Sequence, residues 1–334
     1  MPFLLKTISK AILAISVCCL RPVSYAIATT CVVSTFALAL PLGVSPCHAE
    51  TFEISPRLGG RVTVADFRCV IPDGVKTVRG IIVLMPGYEG DGRGAVGDKE
   101  WQALASKHQL ALVAGFMKGP DYHSANEGGK MLVDAIKMFA TQSKHPEIDK
   151  VPMAFWGHSA GGQFAYNFAV WKPRRTLAFV VNKGGYYTTD SPSADVLKTP
   201  GIFFMGTNDE AFRVKRITEI YTDGRKRGAR WCMVPEEGVG HGLGVSKKAG
   251  LEFIDKAFQK RLPVAANSEF GSDFGTSPAS TDPKMNELVE KDGLLGNPAT
   301  GEATAYDLFS GSKAAASWLM DQEFAASWKA ALKK

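Results

Sequence analysis

One stretch constrains this chain more than any other: Val151-Pro-Met-Ala-Phe-Trp-Gly157-His158-Ser159-Ala160-Gly161-Gly162-Gln-Phe-Ala-Tyr166. A short apolar run enters Gly-x-Ser-x-Gly, and an apolar, helix-compatible run leaves it. That order predicts a strand, a sharp turn and a helix, with Ser159 strained at the turn and glycines where a Cβ would collide. The backbone N–H of Ala160, at the start of the helix, then faces any negative charge developing beside the serine. A bare Gly-x-Ser-x-Gly in a loop carries no such information. The strand before it and the helix after it make Ser159 a candidate nucleophile.

A serine hydroxyl is a weak nucleophile at neutral pH, so it needs a base, and the base needs an orienting acid. Gly201-Ile-Phe-Phe-Met205 reads as a buried strand, and Gly206-Thr-Asn-Asp209-Glu210 follows it directly. Arg230-Trp-Cys-Met-Val234 reads as another, followed by Gly240-His241-Gly242. Catalytic groups of open α/β sheets collect at the carboxyl ends of strands, so Ser159, Asp209 and His241 converge on one edge. Taken alone, Asp209 is equally a turn or helix-capping residue. Glu210 is the alternative acid. His241, set between glycines, belongs to an exposed loop rather than a core and is the candidate general base. His158 reads as a structural part of the elbow, and His108, His123 and His145 as surface or loop residues. A second backbone donor to the oxyanion is expected from the loop Met85-Pro-Gly87-Tyr88-Glu-Gly-Asp-Gly92, with the N–H of Tyr88 paired to that of Ala160. A purely structural glycine turn is the other reading. The loop lacks the Gly-Lys-Ser/Thr ending of a phosphate cradle.

The remaining pattern alternates strands and helices. Thr51 to Phe67 turns at Gly59-Gly60 as an opening β-hairpin, extended to Ile71 and ended by Pro72-Asp73-Gly74. Gly80–Met85, Leu110–Phe116 and Leu177–Val181 are continuous apolar runs of buried-strand type. Trp101–His108 and Ser246–Arg261 read as helices. Ser124 with Glu127 forms a capping box ahead of an amphipathic helix carrying Met131, Leu132, Ala135, Ile136, Met138 and Phe139. This predicts an α/β, doubly wound, mostly parallel sheet. The short segment between the Leu177 and Gly201 strands leaves no room for a large lid, so the cleft is open, with Tyr88, Tyr186 and Tyr187 either lining it or packed.

Length and composition, with 334 residues, 45% apolar and 22% charged, fit one large domain with extras. Half of the formal charge of +6 comes from Lys6, Lys10 and Arg21, which precede the first acidic residue, Glu50. With no basic block interleaved with aromatics, nucleic acid is not an expected partner. Residues 1–49 read as a long secretory signal peptide: a basic region, the apolar Cys31–Val44, and Cys47-His48-Ala49 before cleavage. The product is secreted or periplasmic, with no stable membrane insertion after cleavage; a membrane anchor is the alternative. Four of six cysteines leave with that segment. Cys69 and Cys232 then read as two buried thiols rather than a bridge, and neither has metal-ligand spacing.

The catalytic domain is expected over 50–261. From 262 to 334 the character changes: Ala265 to Pro283 reads as a surface linker, Met285 to Lys291 as a possible helix, and Ser312 to Lys333 as a helical tail. Trp318 and Trp328 in that tail call for docking on the domain.

With Ser159, Asp209 and His241 placed, the chain resembles the α/β-hydrolase superfamily over Thr51 to Arg261. Within it, Gly157-His-Ser-Ala-Gly-Gly162, Gly206-Thr-Asn-Asp209 and Gly240-His-Gly242 are most similar to secreted esterases of the polyhydroxybutyrate depolymerase, feruloyl esterase and dienelactone hydrolase-like group. The resemblance implies an α/β-hydrolase fold and a Ser-His-Asp triad acting on a small-molecule or polymeric ester, without metal or organic cofactor. Many of these relatives carry His-Gly where this chain has Pro86-Gly87. Dienelactone hydrolases use a cysteine nucleophile where this chain has Ser159. A serine peptidase, an acyltransferase, or a non-catalytic binding protein on the same fold are the alternative functions.

Overall fold

The computed structural model describes residues 49–187, 192–263 and 282–333. All but the last residue of the expected signal segment, and most of the expected linker, lie outside the described residues. The chain opens with β1 (Glu50–Ile54) and β2 (Val64–Ile71), an antiparallel pair in the register Glu50 opposite Ile71. Next come β3 (Gly80–Met85), α1 (Lys99–His108), β4 (Leu110–Lys118) and α2 (Lys130–Gln142). The elbow region supplies β5 (Met153–His158) and α3 (Ala160–Trp171). They are followed by β6 (Thr176–Asn182), α4 (Ala194–Leu197), β7 (Gly201–Gly206), α5 (Ala211–Lys226), β8 (Trp231–Glu236) and α6 (Ser246–Arg261).

The sheet has eight strands in the order β1-β2-β4-β3-β5-β6-β7-β8. β2 runs antiparallel to β4, and every pair from β4 to β8 is parallel. Central strands such as β3 and β6 are buried along their whole length, as runs covered by helices on both faces must be. Alternate side chains feed two cores: Ile81 and Val83 join α2, α3 and α5, whereas Ile82 and Leu84 join α1 and α6. Cys69 and Cys232 are both free and buried.

Local signals explain most boundaries. Asp98 caps α1, its carboxylate accepting from the Glu100 and Trp101 amides at 3.0 and 3.3 Å. The helix ends at Gln109, which takes the left-handed conformation. The expected Ser124–Glu127 capping box does not form. A π-turn over Ala125–Gly129 precedes α2, and the Glu127 carboxylate accepts instead from the Arg61 amide at 2.8 Å. Helix α5 escapes a composition-based reading because it is strongly charged; its buried stripe is Ile217, Ile220, Tyr221 and Gly224.

Beyond α6 the structure departs from the expected helical tail. The segment Met285–Lys291 is not a helix apart from one 3-10 turn at Glu290–Asp292. Within Ser312–Lys333 only α7 (Gln322–Leu332) is α-helical. Short strands β9 (Leu294–Gly296), β10 (Ala303–Ala305) and β11 (Ser317–Leu319) form a second antiparallel sheet in the order β10-β9-β11. The reason is burial on every side: all three residues of β9 and of β11 are buried, so their backbone groups pair within a ladder. Tail residues including Leu295, Trp318, Phe324 and Trp328 share one buried cluster with α6 and β8. The Ser317 hydroxyl accepts from the Met233 amide at 3.0 Å, and the Trp328 indole donates to the Met233 carbonyl at 2.8 Å. Both contacts fall on β8, the edge strand of the large sheet, and cover groups that would otherwise face outward unpaired. Among the described residues, no helix is long and apolar enough to cross a membrane.

Candidate active site

Ser159 joins β5 to α3 with φ 54° and ψ −118°, a backbone conformation that side-chain-bearing residues rarely adopt. Close approach on both sides imposes it. A Cβ on Gly157 would collide with the Gly161 carbonyl, and one on Gly161 with the Met85 and Pro86 carbonyls. Only glycines let the first turn of α3 sit against both the elbow and the loop after β3. The Ser159 amide donates to the Asn182 carbonyl at 2.7 Å, which ties the turn to the end of β6.

Asp209 lies three residues past β7, and His241 lies in the loop after β8. The two loops are stitched together: Asn208 N donates to Val239 O at 3.0 Å, and Gly238 N to the Thr207 hydroxyl at 2.9 Å. His241 Nδ1 stands 2.9 Å from Asp209 Oδ2, and His241 Nε2 stands 2.9 Å from Ser159 Oγ. An ionised carboxylate only accepts, so Nδ1 carries the proton; Nε2 of the neutral ring is then free to accept from the serine hydroxyl. Asp209 Oδ1 accepts from the Glu210 amide at 2.7 Å. The Asp209 side chain is 2% exposed and that of His241 37%, so a buried carboxylate holds a ring whose other face is open to solvent. Glu210, the alternative acid, faces solvent and pairs with Arg213 at 3.0 Å.

The Ala160 amide opens α3, among the helix donors that lack an intrahelical acceptor. The loop after β3 borders the serine: a Cβ on Gly87 would lie 3.6 Å from Ser159 Cβ. Tyr88, next in that loop, is exposed, and its ring meets Tyr122 with centroids 5.9 Å apart. Tyr186 is also exposed, against Phe212 at 5.3 Å, and Leu243 is exposed in the His241 loop. Tyr187 instead packs edge-on against Tyr166 at 5.0 Å. Exposed apolar side chains thus stand on the loops after β3, β6 and β8 and at the start of α5.

His158 lies beneath, its Nδ1 accepting from Asn182 Nδ2 at 3.0 Å. Burial, then the neighbouring His241 and Lys183, lower its imidazole to about 4, so the ring is neutral. His108 pairs with Asp255 and His145 with Glu147, both away from the serine. Three residues at the site have no signal in the sequence: Asn182, Lys183 and Glu236. Asn182 and Glu236 end apolar strands and Lys183 follows one, and all three are buried.

Sheet order, elbow, and the two loops after β7 and β8 define the α/β-hydrolase fold. No family model matches the chain, and no curated protein does. Solved structures are similar in fold. An esterase from Pyrobaculum calidifontis is 17% identical, covers 64% of this chain and 85% of its own, and superposes with TM-score 0.47. The poly(3-hydroxybutyrate) depolymerase of Bordetella parapertussis is 19% identical over 66% of this chain and 92% of its own, with TM-score 0.45. An S-formylglutathione hydrolase from Agrobacterium tumefaciens is 12% identical over 64% of this chain and 96% of its own, with TM-score 0.49.

Proposed function

We propose that this chain is an exported serine hydrolase that cleaves carboxylic esters through Ser159, His241 and Asp209. The observation that carries the proposal is the unbroken line of hydrogen bonds from Asp209 through His241 to a serine held at φ 54°. Ser159 Oγ attacks the ester carbonyl as His241 Nε2 takes its proton. Asp209 keeps the ring in the tautomer that can accept, and stabilises the imidazolium that forms. The Ala160 and Tyr88 amides receive the oxyanion of the tetrahedral intermediate, each contributing about 3 kcal/mol of transition-state stabilisation. The imidazolium returns its proton to the leaving alcohol, and the same ring then activates water to release the acyl group. The exposed Tyr88, Tyr186, Phe212 and Leu243, which follow the carboxyl ends of the strands that lead to the site, favour an ester with apolar substituents.

The direct test is hydrolysis of p-nitrophenyl esters from acetate to octanoate, plus methyl ferulate, by the mature protein and by Ser159→Ala. Turnover in the wild type that vanishes in the variant is the expected result. No turnover in folded wild type with any ester, and no labelling by a fluorophosphonate, would sink the proposal in favour of a binding protein. Export is tested by N-terminal sequencing of secreted protein, which should begin at Glu50.

A further inference from the structure

Behind the hydrogen-bonded line lies a charged pair that the chemistry above does not use. Lys183, fully buried, is ion-paired with Glu236, whose side chain is 2% exposed. Lys183 follows β6 and Glu236 ends β8, so the pair reaches across β7, the strand that leads to Asp209. The lysine stem passes over Gly206, where a Cβ would lie 2.9 Å from Lys183 Cε.

The remaining polar contacts of the cluster reach the loops that carry the site. Glu236 Oε1 accepts from the Val245 amide at 2.7 Å, which ties down the far end of the His241 loop. Lys183 Nζ also donates to Asn182 Oδ1 at 3.1 Å. An ammonium only donates, so Asn182 must turn its oxygen toward Lys183 and its NH2 the other way. That NH2 donates to His158 at 3.0 Å and reaches the Leu243 carbonyl, in the His241 loop, at 3.4 Å. The backbone carbonyl of Asn182 meanwhile accepts from the Ser159 amide. One buried charge thus fixes the orientation of the group that touches both the elbow and the histidine loop.

The backbone points the same way. Lys183 has φ 57°, a conformation that glycine adopts more easily, yet a lysine stands there. Gly244 has φ 53°, and a Cβ on it would collide with the Glu236 carboxylate. A buried ion pair adds little stability over apolar packing of the same volume. What this pair supplies is geometry.

We infer that Asn182, Lys183 and Glu236 are positioning residues that clamp the His241 loop to the elbow, so that Ser159 and His241 meet with donor and acceptor already aligned. The inference rests on the ester-hydrolase reading of the site. The test compares wild type with Glu236→Gln and with the double variant Lys183→Met/Glu236→Leu. Glutamine retains an acceptor for the Val245 amide but removes the charge; the double variant removes the clamp without leaving an orphan charge. Each is assayed for kcat and KM on p-nitrophenyl acetate, for the rate of fluorophosphonate labelling of Ser159, and for thermal midpoint. The double variant should lose kcat and labelling rate by roughly a hundredfold while KM stays close to wild type, the signature of misplaced reacting groups. Glu236→Gln should fall between, at roughly a tenfold loss. A merely structural role would lower the thermal midpoint and leave the rate per folded molecule unchanged. Should the double variant not fold, Glu236→Gln decides alone, and wild-type rates in it overturn the inference. Labelled wild type with equally fast labelling of the folded double variant overturns the clamp and leaves the reading of the site standing. Wild type that neither labels nor turns over ester overturns both.

Discussion

The imidazole rings of His158 and His241 lie 5.1 Å apart, centroid to centroid, and are inclined at 43°. They are neighbours in space with opposite tasks. His241 contacts Ser159 and Asp209, and in the proposed reaction it becomes positively charged. His158 is held neutral by burial and by the positive groups beside it, with its Nδ1 committed to Asn182. A second positive ring at this distance would oppose the imidazolium at the moment it forms.

This arrangement makes the fold sensitive to mild acid. The His158 imidazole is lowered from 6.5 to about 4 in the folded chain, so below 6.5 the unfolded chain holds more protons at this position. Stability therefore falls as pH drops through that window, by up to about 3 kcal/mol at its acid end, and the contribution is unaffected above it. His123 is lowered by burial as well and adds in the same direction. Thermal midpoints of wild type and His158→Asn, measured at neutral and mildly acidic pH, should show the smaller acid-induced drop in the variant. Equal drops would assign the acid sensitivity elsewhere.

Strain at the elbow predicts a split between two serine variants. Ser159→Ala and Ser159→Gly should each reduce ester turnover by about 10⁶-fold. Alanine keeps the φ 54° strain, whereas glycine relieves it. Ser159→Gly should therefore raise stability by about 1 kcal/mol over Ser159→Ala. Chemical denaturation of the two proteins reads this directly, and equal midpoints would refute a strained elbow.

The two adjacent acids should separate cleanly. Asp209→Asn keeps the shape but allows the wrong histidine tautomer, and should lower kcat by about 10⁴-fold. Glu210→Gln alters only a solvent-facing partner of Arg213 and should change kcat less than about twofold, the range of an exposed ion pair. Steady-state kinetics with one p-nitrophenyl ester decides between them, and the reverse order would reassign the acid.

Trp328, 1% exposed and bonded through its indole to Met233, is the anchor of the tail on β8. Trp328→Ala should destabilise the protein by about 4 kcal/mol and uncover the sheet edge. Urea denaturation and light scattering check the two parts. A midpoint within error of wild type would mean that the tail adds nothing to the core.

Motifs that act locally were readable in advance. Gly157-His158-Ser159-Ala160-Gly161 announces its own turn, because only that glycine spacing lets backbone approach backbone there. The places of Asp209 and His241, in loops that follow apolar strands at one edge of the sheet, are legible in the sequence. The strands of the tail are not legible in the sequence because Ser317-Trp318-Leu319 has too few residues to display a period, and its strand state depends on a partner at Leu294–Gly296. The Ser124–Glu127 capping signal failed for a similar reason, since Arg61, distant in sequence, claims the Glu127 carboxylate.

The sequence by itself determined the sheet, the elbow and the order of serine, acid and histidine, because hydrophobic periodicity and glycine spacing are short-range properties of a chain. Only the tertiary structure decided that Asp209 rather than Glu210 meets the ring, since neighbouring carboxylates differ only in the direction they face. It alone revealed Asn182, Lys183 and Glu236 as one buried cluster. Polar residues at strand ends carry no local mark of burial, and the partner that pairs with Lys183 stands 53 positions further along the chain.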